Sequence, residues 1–369
     1  MLALSPHPTG WRARSARRGA AVALGIGVAV LVAAQLAAGW AIHTNRMPLR
    51  DPIYADRIET LRDNPDFAQI DPERSPYTLL FVGSSRTQNG VNAGLVESPL
   101  TKQLGRPVAA FNFGCPGAGP ITNAVYMRRL LAEGVKPSVV VIEVHPLLLA
   151  EQTEVPPEAH WFQSIRLRPD ELLLVRQFGF SVETPDAHGY RGWFLPLHEY
   201  RIPLVDRYAT QMSVLQVPMG VQHLSDKNGF VRSQAAGPEW RPKMLERAHR
   251  QYASFLANYQ PGGCEVVALR DLLETCRAAG IRTALMLTPE SSEFRSWYPE
   301  AGRAQFASLL RELAREFACP IIDGTEWVPD ECLSDGHHLT ASGADVFTDR
   351  LIREGLAPWL ASSGTGDAP

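Results

Sequence analysis

SVVVIEV, Ser138 to Val144, decides the fold. Val139, Val140, Val141 and Ile142 are four β-branched residues in a row, and they leave no polar face. A strand with one wet face alternates, whereas a strand covered on both sides reads as a continuous apolar run. Such a strand belongs in a parallel sheet with helices on either face. The chain around it agrees. Thr78–Val82 and Val108–Phe113 read as strands, and Ile121–Glu133 reads as a helix closed by Gly134. Downstream, Glu265–Ala279 is helical up to Gly280, Ile281–Leu287 is a strand, Arg303–Phe317 is helical and Pro320–Asp323 is a short strand. The last helix runs over Ala341–Glu354, with Thr340 as its N-cap. Strands alternating with helices predict an α/β protein, a three-layer α/β/α sandwich with a central parallel sheet.

The N-terminus makes a separate statement. Arg12, Arg14, Arg17 and Arg18 precede an apolar run from Ala20 to Ile42 with no charge before Arg46. The run is long enough to span a bilayer as a helix. Arginines stay on the cytoplasmic side, so the rest of the chain is expected outside the membrane, periplasmic or at the cell surface. A signal peptide cleaved near Ala34 or Ala38 is the alternative, and it leads to the same extracytoplasmic compartment. The organisation expected is a basic cytoplasmic segment at 1–19, an anchor at 20–42 and a linker at 43–76 with a short helix. The α/β domain follows in two halves, 77–149 and 261–361, around a mainly helical insertion or lid at 150–260, and 362–369 form a flexible tail. The insertion is rich in aromatics, with Trp161, Phe162, Trp193, Phe194, Tyr200, Tyr208 and Trp240.

Charge excludes one class of partner. A formal net charge of −3 with one residue in five charged offers no electrostatic footprint for nucleic acid. The cysteines, Cys115, Cys264, Cys276, Cys319 and Cys332, show no metal-ligand spacing. Most read as small buried hydrophobes, although Cys319 with Cys332 is a conceivable disulfide pair in an oxidising compartment. No cofactor or metal is expected. His160, His188, His198 and His223 read as ordinary polar residues.

In open parallel sheets ligands bind outside the carboxyl ends of the strands, and here those ends carry unusual residues. After the first predicted strand comes Gly83-Ser84-Ser85-Arg86. After the second comes FNFGCPGAGP, with Asn112, Gly114 and Gly117, and after the third comes Glu143-Val144-His145-Pro146. Before the last helix stands LSDGHHLTASGADVF. A serine hydroxyl needs an adjacent base to become a nucleophile, the base needs an orienting partner, and the developing oxyanion needs N–H donors. Asp335 and His338, three residues apart, suit the middle roles. Gly117, lacking a Cβ, can bring a bare N–H close to substrate. A phosphate cradle is the weaker reading, because GCPGAG is not Gly-x-Gly-x-x-Gly and no Gly-Lys-Ser/Thr follows.

This order of motifs, Gly-x-Ser, then Asn-x-Gly-x-x-Gly, then Asp-x-x-His before the final helix, resembles the SGNH (GDSL-like) hydrolase superfamily over residues 77–145 and 281–357. The GSSR and DGHHL forms are more similar to its membrane-anchored bacterial branch, which includes DltD-like and alginate O-acetylation proteins. The resemblance implies a flavodoxin-like SGNH fold and a serine esterase or O-acyltransferase acting on an acylated envelope polymer or a small ester. It also implies a membrane partner that exports acyl groups. Residue by residue, Ser85 matches the nucleophile, His338 the base and Asp335 its partner. Gly117 matches the oxyanion glycine and Asn112 an asparagine common just before it. Two departures stand out. Ser84 replaces the family's Asp, and EVHP replaces the Gly-x-Asn-Asp block, which puts His145 where an oxyanion asparagine is expected. Arg86 could bind a substrate carboxylate or phosphate, or pair with a local acid. The missing block also motivates the alternative of a non-catalytic anchored binding or scaffold protein on the same fold.

Overall fold

The computed structural model describes residues 9–43, 49–68, 76–151, 158, 166–180, 195–209, 212, 225–233, 238–257 and 259–362. They group into two compact units, one of residues 1–50 with 184–219 and one of 51–183 with 220–369.

The first unit is built on helix α1, Thr9–His43. Its stretch Arg17–Ile42 has 26 residues and a mean hydropathy of 2.3. At 1.5 Å per residue it rises about 39 Å, enough to cross a hydrocarbon core of about 30 Å. Val22, Leu24, Ile26, Val28 and Leu36 are bare on its surface. Short helices Pro196–Glu199 and Arg201–Tyr208 complete the described part of this unit, and the Leu197 N–H donates to Gln35 Oε1 at 3.1 Å.

The second unit opens with helix α2, Pro52–Asp63. Residues 46–76 read as a linker from their Pro, Asp and Arg content. Yet Tyr54, Ile58 and Leu61 stand at i, i+4 and i+7 and are buried in the core, so this segment is part of the domain. The sheet follows with β1, Tyr77–Val82, β2, Val108–Asn112, β3, Val139–Glu143, β4, Arg282–Leu287, and β5, Ile321–Asp323. All pairings are parallel and the order is β2-β1-β3-β4-β5. That is the flavodoxin-like order, with a switch point between β1 and β3.

Alternation along each strand feeds two cores. Leu80, Val82, Val140, Ile142 and Leu285 face one layer, where they meet Ile121 and Val125 of helix α3, Pro120–Ala132, and Leu269 and Leu272 of helix α4, Gly263–Ala278. Leu79, Phe81, Val139, Val141 and Met286 face the other, where they meet Phe347 of helix α5, Ala341–Arg350. The SVVVIEV run is thus apolar throughout because both faces are covered. Each fully buried aliphatic or aromatic side chain contributes about 1.5–3 kcal/mol.

Thr340 caps α5, its side chain accepting from the Gly343 N–H at 3.1 Å. The helix continues as a π-helical stretch, Leu351–Leu356. The cysteines are all unpaired thiols, so the conceivable Cys319–Cys332 disulfide is absent. Cys115, Cys264, Cys276 and Cys319 fill the first core layer instead. Much of 150–260, including Trp161, Phe162, Trp193 and Phe194, lies outside the described residues. Its described part includes a long helix, Arg241–Ala257.

Candidate active site

β1 ends at Val82, and the chain turns at Gly83 into a short helix, Ser85–Gly90, with Ser84 as N-cap. The first N–H groups of a helix lack internal partners. Two acceptors serve them here. Ser84 Oγ accepts from the Arg86 N–H at 3.1 Å, and Glu143 Oε2 accepts from the N–H groups of Ser84 at 2.8 Å and Thr87 at 3.1 Å. The two hydroxyls complete the carboxylate's shell, Ser84 Oγ donating to Oε1 at 2.8 Å and Thr87 Oγ1 to Oε2 at 2.5 Å. Glu143 reaches this turn because Val82 pairs with Ile142, which sets the next residue of β3 beside Gly83. A Cβ on Gly83 would lie 2.6 Å from Glu143 Cβ, so the turn admits only glycine. Ser84 and Arg86 are buried, and Ser85 between them is the partly exposed one.

The second half of the site is the loop before α5. Ser334 N–H donates to His338 O at 2.8 Å, and Gly336 takes a φ of 92°, which folds the loop back on itself. Asp335 Oδ1 accepts from the His338 N–H at 2.8 Å and the His337 N–H at 3.2 Å. Asp335 Oδ2 lies 2.7 Å from His338 Nδ1, and His338 Nε2 lies 2.8 Å from Ser85 Oγ. With Nδ1–H assigned as donor to the carboxylate, Nε2 is the acceptor for the serine hydroxyl. The structure therefore brings Ser85, His338 and Asp335 into one hydrogen-bonded chain. Burial alone would raise the Asp335 carboxyl, but His337 and His338 outweigh it and hold it well below the usual carboxylate range.

His337 has a different environment. Its ring packs against Phe294 at 4.9 Å and edge-on to Tyr252 at 5.1 Å, with the His338 ring 4.2 Å away. Burial, then the neighbouring His338 and Arg86 charges, push it down to about 3. It is a neutral imidazole whose Nδ1 lies 3.3 Å from Asp335 Oδ1 without forming a hydrogen bond. Ligand atoms of Asp335, His337 and His338 fall within 4.8 Å of one another, but the Asp335 and His338 pair is already joined by its own hydrogen bond.

The remaining expected residues are placed elsewhere. Asn112, read as an oxyanion or substrate contact, is fully buried. Its amide donates to the carbonyls of Thr87 and Val91, each at 2.7 Å, and its Oδ1 accepts from the Gly114 N–H at 2.9 Å. It closes the C-terminal end of the Ser85–Gly90 helix and has no donor left for substrate. Arg86 also turns inward. Nε donates to His337 O at 3.2 Å, Nη2 to Thr288 O at 3.1 Å and Pro289 O at 3.0 Å, and Nη1 lies 3.3 Å from Glu290. It ties the serine helix to the histidine loop. His145, read as an oxyanion donor, is buried with Nε2 3.1 Å from Glu290 Oε1 and its ring 6.1 Å from Phe294. Gly117 lies in the loop that follows β2. It follows Pro116 in a turn closed by Ala118 N–H to Cys115 O at 3.0 Å, with a φ of 69°, as the third position of a type II turn requires. Among the described residues neither its N–H nor that of Ser85 makes a hydrogen bond.

Glu143 was visible in the sequence as a carboxylate ending an apolar strand, but its role was not. Its signal is physical, since a carboxylate buried at a strand end must be met by donors. Glu143→Leu is expected to orphan the Ser84 and Thr87 donors, at about 1–3 kcal/mol each. Urea denaturation should show a loss of at least about 3 kcal/mol, with Glu143→Gln losing much less.

No family model and no curated protein matches the chain. Solved structures similar to it include a psychrotrophic esterase, EstA, from Pseudoalteromonas sp., at 12% identity over 77% of this chain and 99% of that chain, with a TM-score of 0.37. A lipase/acylhydrolase from Enterococcus faecalis shares 16% identity over 75% of this chain and 94% of its own, with a TM-score of 0.33. An acetylxylan esterase, Axe2, from Geobacillus stearothermophilus shares 14% identity over 75% and 93%, with a TM-score of 0.32. At these values the chemistry rests on this chain's own side chains.

Proposed function

We propose that the chain is a serine ester hydrolase or O-acyltransferase, anchored by α1 and acting outside the cytoplasmic membrane through Ser85, His338 and Asp335. One observation carries the reading, the continuous run from Ser85 Oγ to His338 Nε2 at 2.8 Å and from His338 Nδ1 to Asp335 Oδ2 at 2.7 Å. Nothing structural requires a half-exposed serine beside an imidazole oriented by a buried carboxylate, whereas nucleophilic catalysis requires all three.

The steps follow from those roles. His338 Nε2 takes the Ser85 proton as Oγ attacks an ester carbonyl. Asp335 holds the ring in the tautomer that leaves Nε2 free and stabilises the imidazolium. The Ser85 and Gly117 N–H groups are the donors for the oxyanion. The alcohol leaves with the proton from His338, and an acyl-serine remains. Water attacking it gives hydrolysis, and a sugar hydroxyl attacking it gives transfer, each losing its proton to His338. The location outside the membrane and the resemblance to envelope-modifying proteins favour an acylated envelope polymer as substrate and a membrane acyl exporter as partner.

Labelling of the full-length chain in detergent with a fluorophosphonate tests the reading. Wild type and Ser84→Ala should label, while Ser85→Ala and His338→Ala, shown folded by circular dichroism, should not. Failure of folded wild type to label would remove the nucleophile and favour a scaffold on the same fold.

A further inference from the structure

Outside the Ser85 site, a cavity of about 300 Å³ opens at the carboxyl ends of β4 and β5, beneath the helix Glu300–Glu316. This size is at the lower end of small-molecule sites. Ser85, Asp335, His338 and Gly117 do not line it; Arg86 is shared as part of its wall, with Thr288 and Glu290, which hold its guanidinium. Its body is apolar, with Leu287, Tyr298, Phe306 and Leu310.

Two features of its lining are unexplained by the fold. Thr288 Oγ1 and Tyr259 Oη both belong to residues lining the cavity, are 3% and 4% exposed, and have no hydrogen-bond partner. A buried hydroxyl left unpaired costs about 1–3 kcal/mol, so two at one cavity mark a place where an outside group is expected to complete them. Charge is the second feature. Arg303 and Arg311 line the cavity from the Glu300–Glu316 helix, are exposed, and make no ion pair among the described residues, although Arg303 Nη1 donates to Arg295 O at 3.2 Å. Arg295 is answered by Glu326 at 3.2 Å, and Arg86 by Glu290 at 3.3 Å. Asp323 is the one further carboxylate on the lining. Two open arginines against one aspartate leave a single positive charge in excess.

We propose that this cavity binds a small organic monocarboxylate. Its apolar body lies among Leu287, Tyr298, Phe306 and Leu310, its carboxylate meets Arg303 and Arg311, and an oxygen at its inner end meets Thr288 and Tyr259. An excess of one charge suits a monoanion over a phosphate monoester, and the two inner hydroxyls favour a body that carries an oxygen over a plain hydrocarbon chain. The site is independent of the acyl chemistry at Ser85.

Isothermal titration of the full-length protein in detergent with three matched probes tests this. 3-(4-Hydroxyphenyl)propanoate carries both polar ends, 3-phenylpropanoate lacks the inner hydroxyl and 4-propylphenol lacks the carboxylate. The first should bind tightest, with each of the others weaker by roughly 3- to 10-fold, the worth of about one hydrogen bond or exposed charge contact. The double variant Arg303→Gln, Arg311→Gln should erase the advantage over 4-propylphenol, and Thr288→Val with Tyr259→Phe should erase the advantage over 3-phenylpropanoate. Ala307→Trp, at the lining, should abolish binding and leave fluorophosphonate labelling of Ser85 intact. Binding unchanged in Ser85→Ala would support the second site whatever the fate of the acyl-transfer reading. Equal affinity for the three probes, no binding, or loss of binding on fluorophosphonate labelling would each overturn the proposal.

Discussion

Asp335→Asn is expected to slow fluorophosphonate labelling of Ser85, and turnover of any ester substrate, by about 10⁴-fold while the protein stays folded. The reason lies in the tautomer. Asp335 Oδ2, 2.7 Å from His338 Nδ1, can only accept, so the ring hydrogen sits on Nδ1 and Nε2 faces Ser85 Oγ with a lone pair. An asparagine can turn its NH₂ toward Nδ1. The ring hydrogen then moves to Nε2, and the serine loses its acceptor although every atom stays in place. Because the Asp335 carboxyl is held well below the usual range, it stays an ionised, accept-only partner for Nδ1–H across the ordinary carboxylate range.

Ser85→Ala and His338→Ala should each cost as much or more, and the double variant little beyond either, because groups that act as a unit do not add. About 10⁴-fold corresponds to roughly 5.5 kcal/mol of transition-state stabilisation. Glu143→Gln offers the contrast. It leaves His338 and Asp335 untouched and perturbs only the seat of the serine turn, so its effect should be smaller and appear in stability as well as rate. If Asp335→Asn kept its rate within about tenfold, His338 would not be acting as a base steered by Asp335, and the mechanism above would fall.

Most of the sheet was legible because its evidence is local. β-branched runs, the glycines that close two of the helices and period-3.6 apolar spacing are properties of neighbouring residues, and all five strands stand within a residue or so of where they were expected. That Ser85, His338 and Asp335 would meet was legible for a related reason: Ser85 follows directly on a strand's carboxyl end, and Asp335 and His338 stand just before the last long helix. What a side chain does once it leaves a strand end was not legible. Glu143 reaches the serine turn only because Val82 pairs with Ile142, and that register is a property of two strands. Arg86 could have met a substrate anion or paired with a local acid, and it does the second, with Glu290. It points inward because the carbonyls of His337, Thr288 and Pro289, from two distant segments, converge there. Asn112 went to three carbonyls of the serine helix for the same reason. The α2 segment was obscured by composition, its proline and charges outweighing the spacing of Tyr54, Ile58 and Leu61.

Acid should separate wild type from His337→Phe. His337 is pushed down to about 3 in the folded protein, against about 6.5 in an unfolded chain. Between those values the unfolded chain binds a proton that the folded one refuses, so stability rises with pH across that window and is lost on acidification below about 6.5. From pH 7 to pH 4.5 the loss assignable to His337 is on the order of 2–3 kcal/mol, at about 1.4 kcal/mol per pH unit. Other groups move the curve as well. Glu265, raised to about 7 chiefly by burial, takes up its proton in the folded state first and works in the opposite sense over the upper part of the window. Glu158 and Glu290, also raised by burial, act likewise. Asp335, held low, adds a loss only below the ordinary carboxylate range. The variant cancels these terms, since phenylalanine fills the space between Phe294 and Tyr252 and cannot titrate. Urea midpoints at pH 7 should therefore be similar for the two proteins, and at pH 4.5 the variant should be the more stable by those 2–3 kcal/mol. Parallel curves would mean that His337 titrates normally, and that the apolar wall of Phe294 and Tyr252 does not keep its ring neutral beside His338.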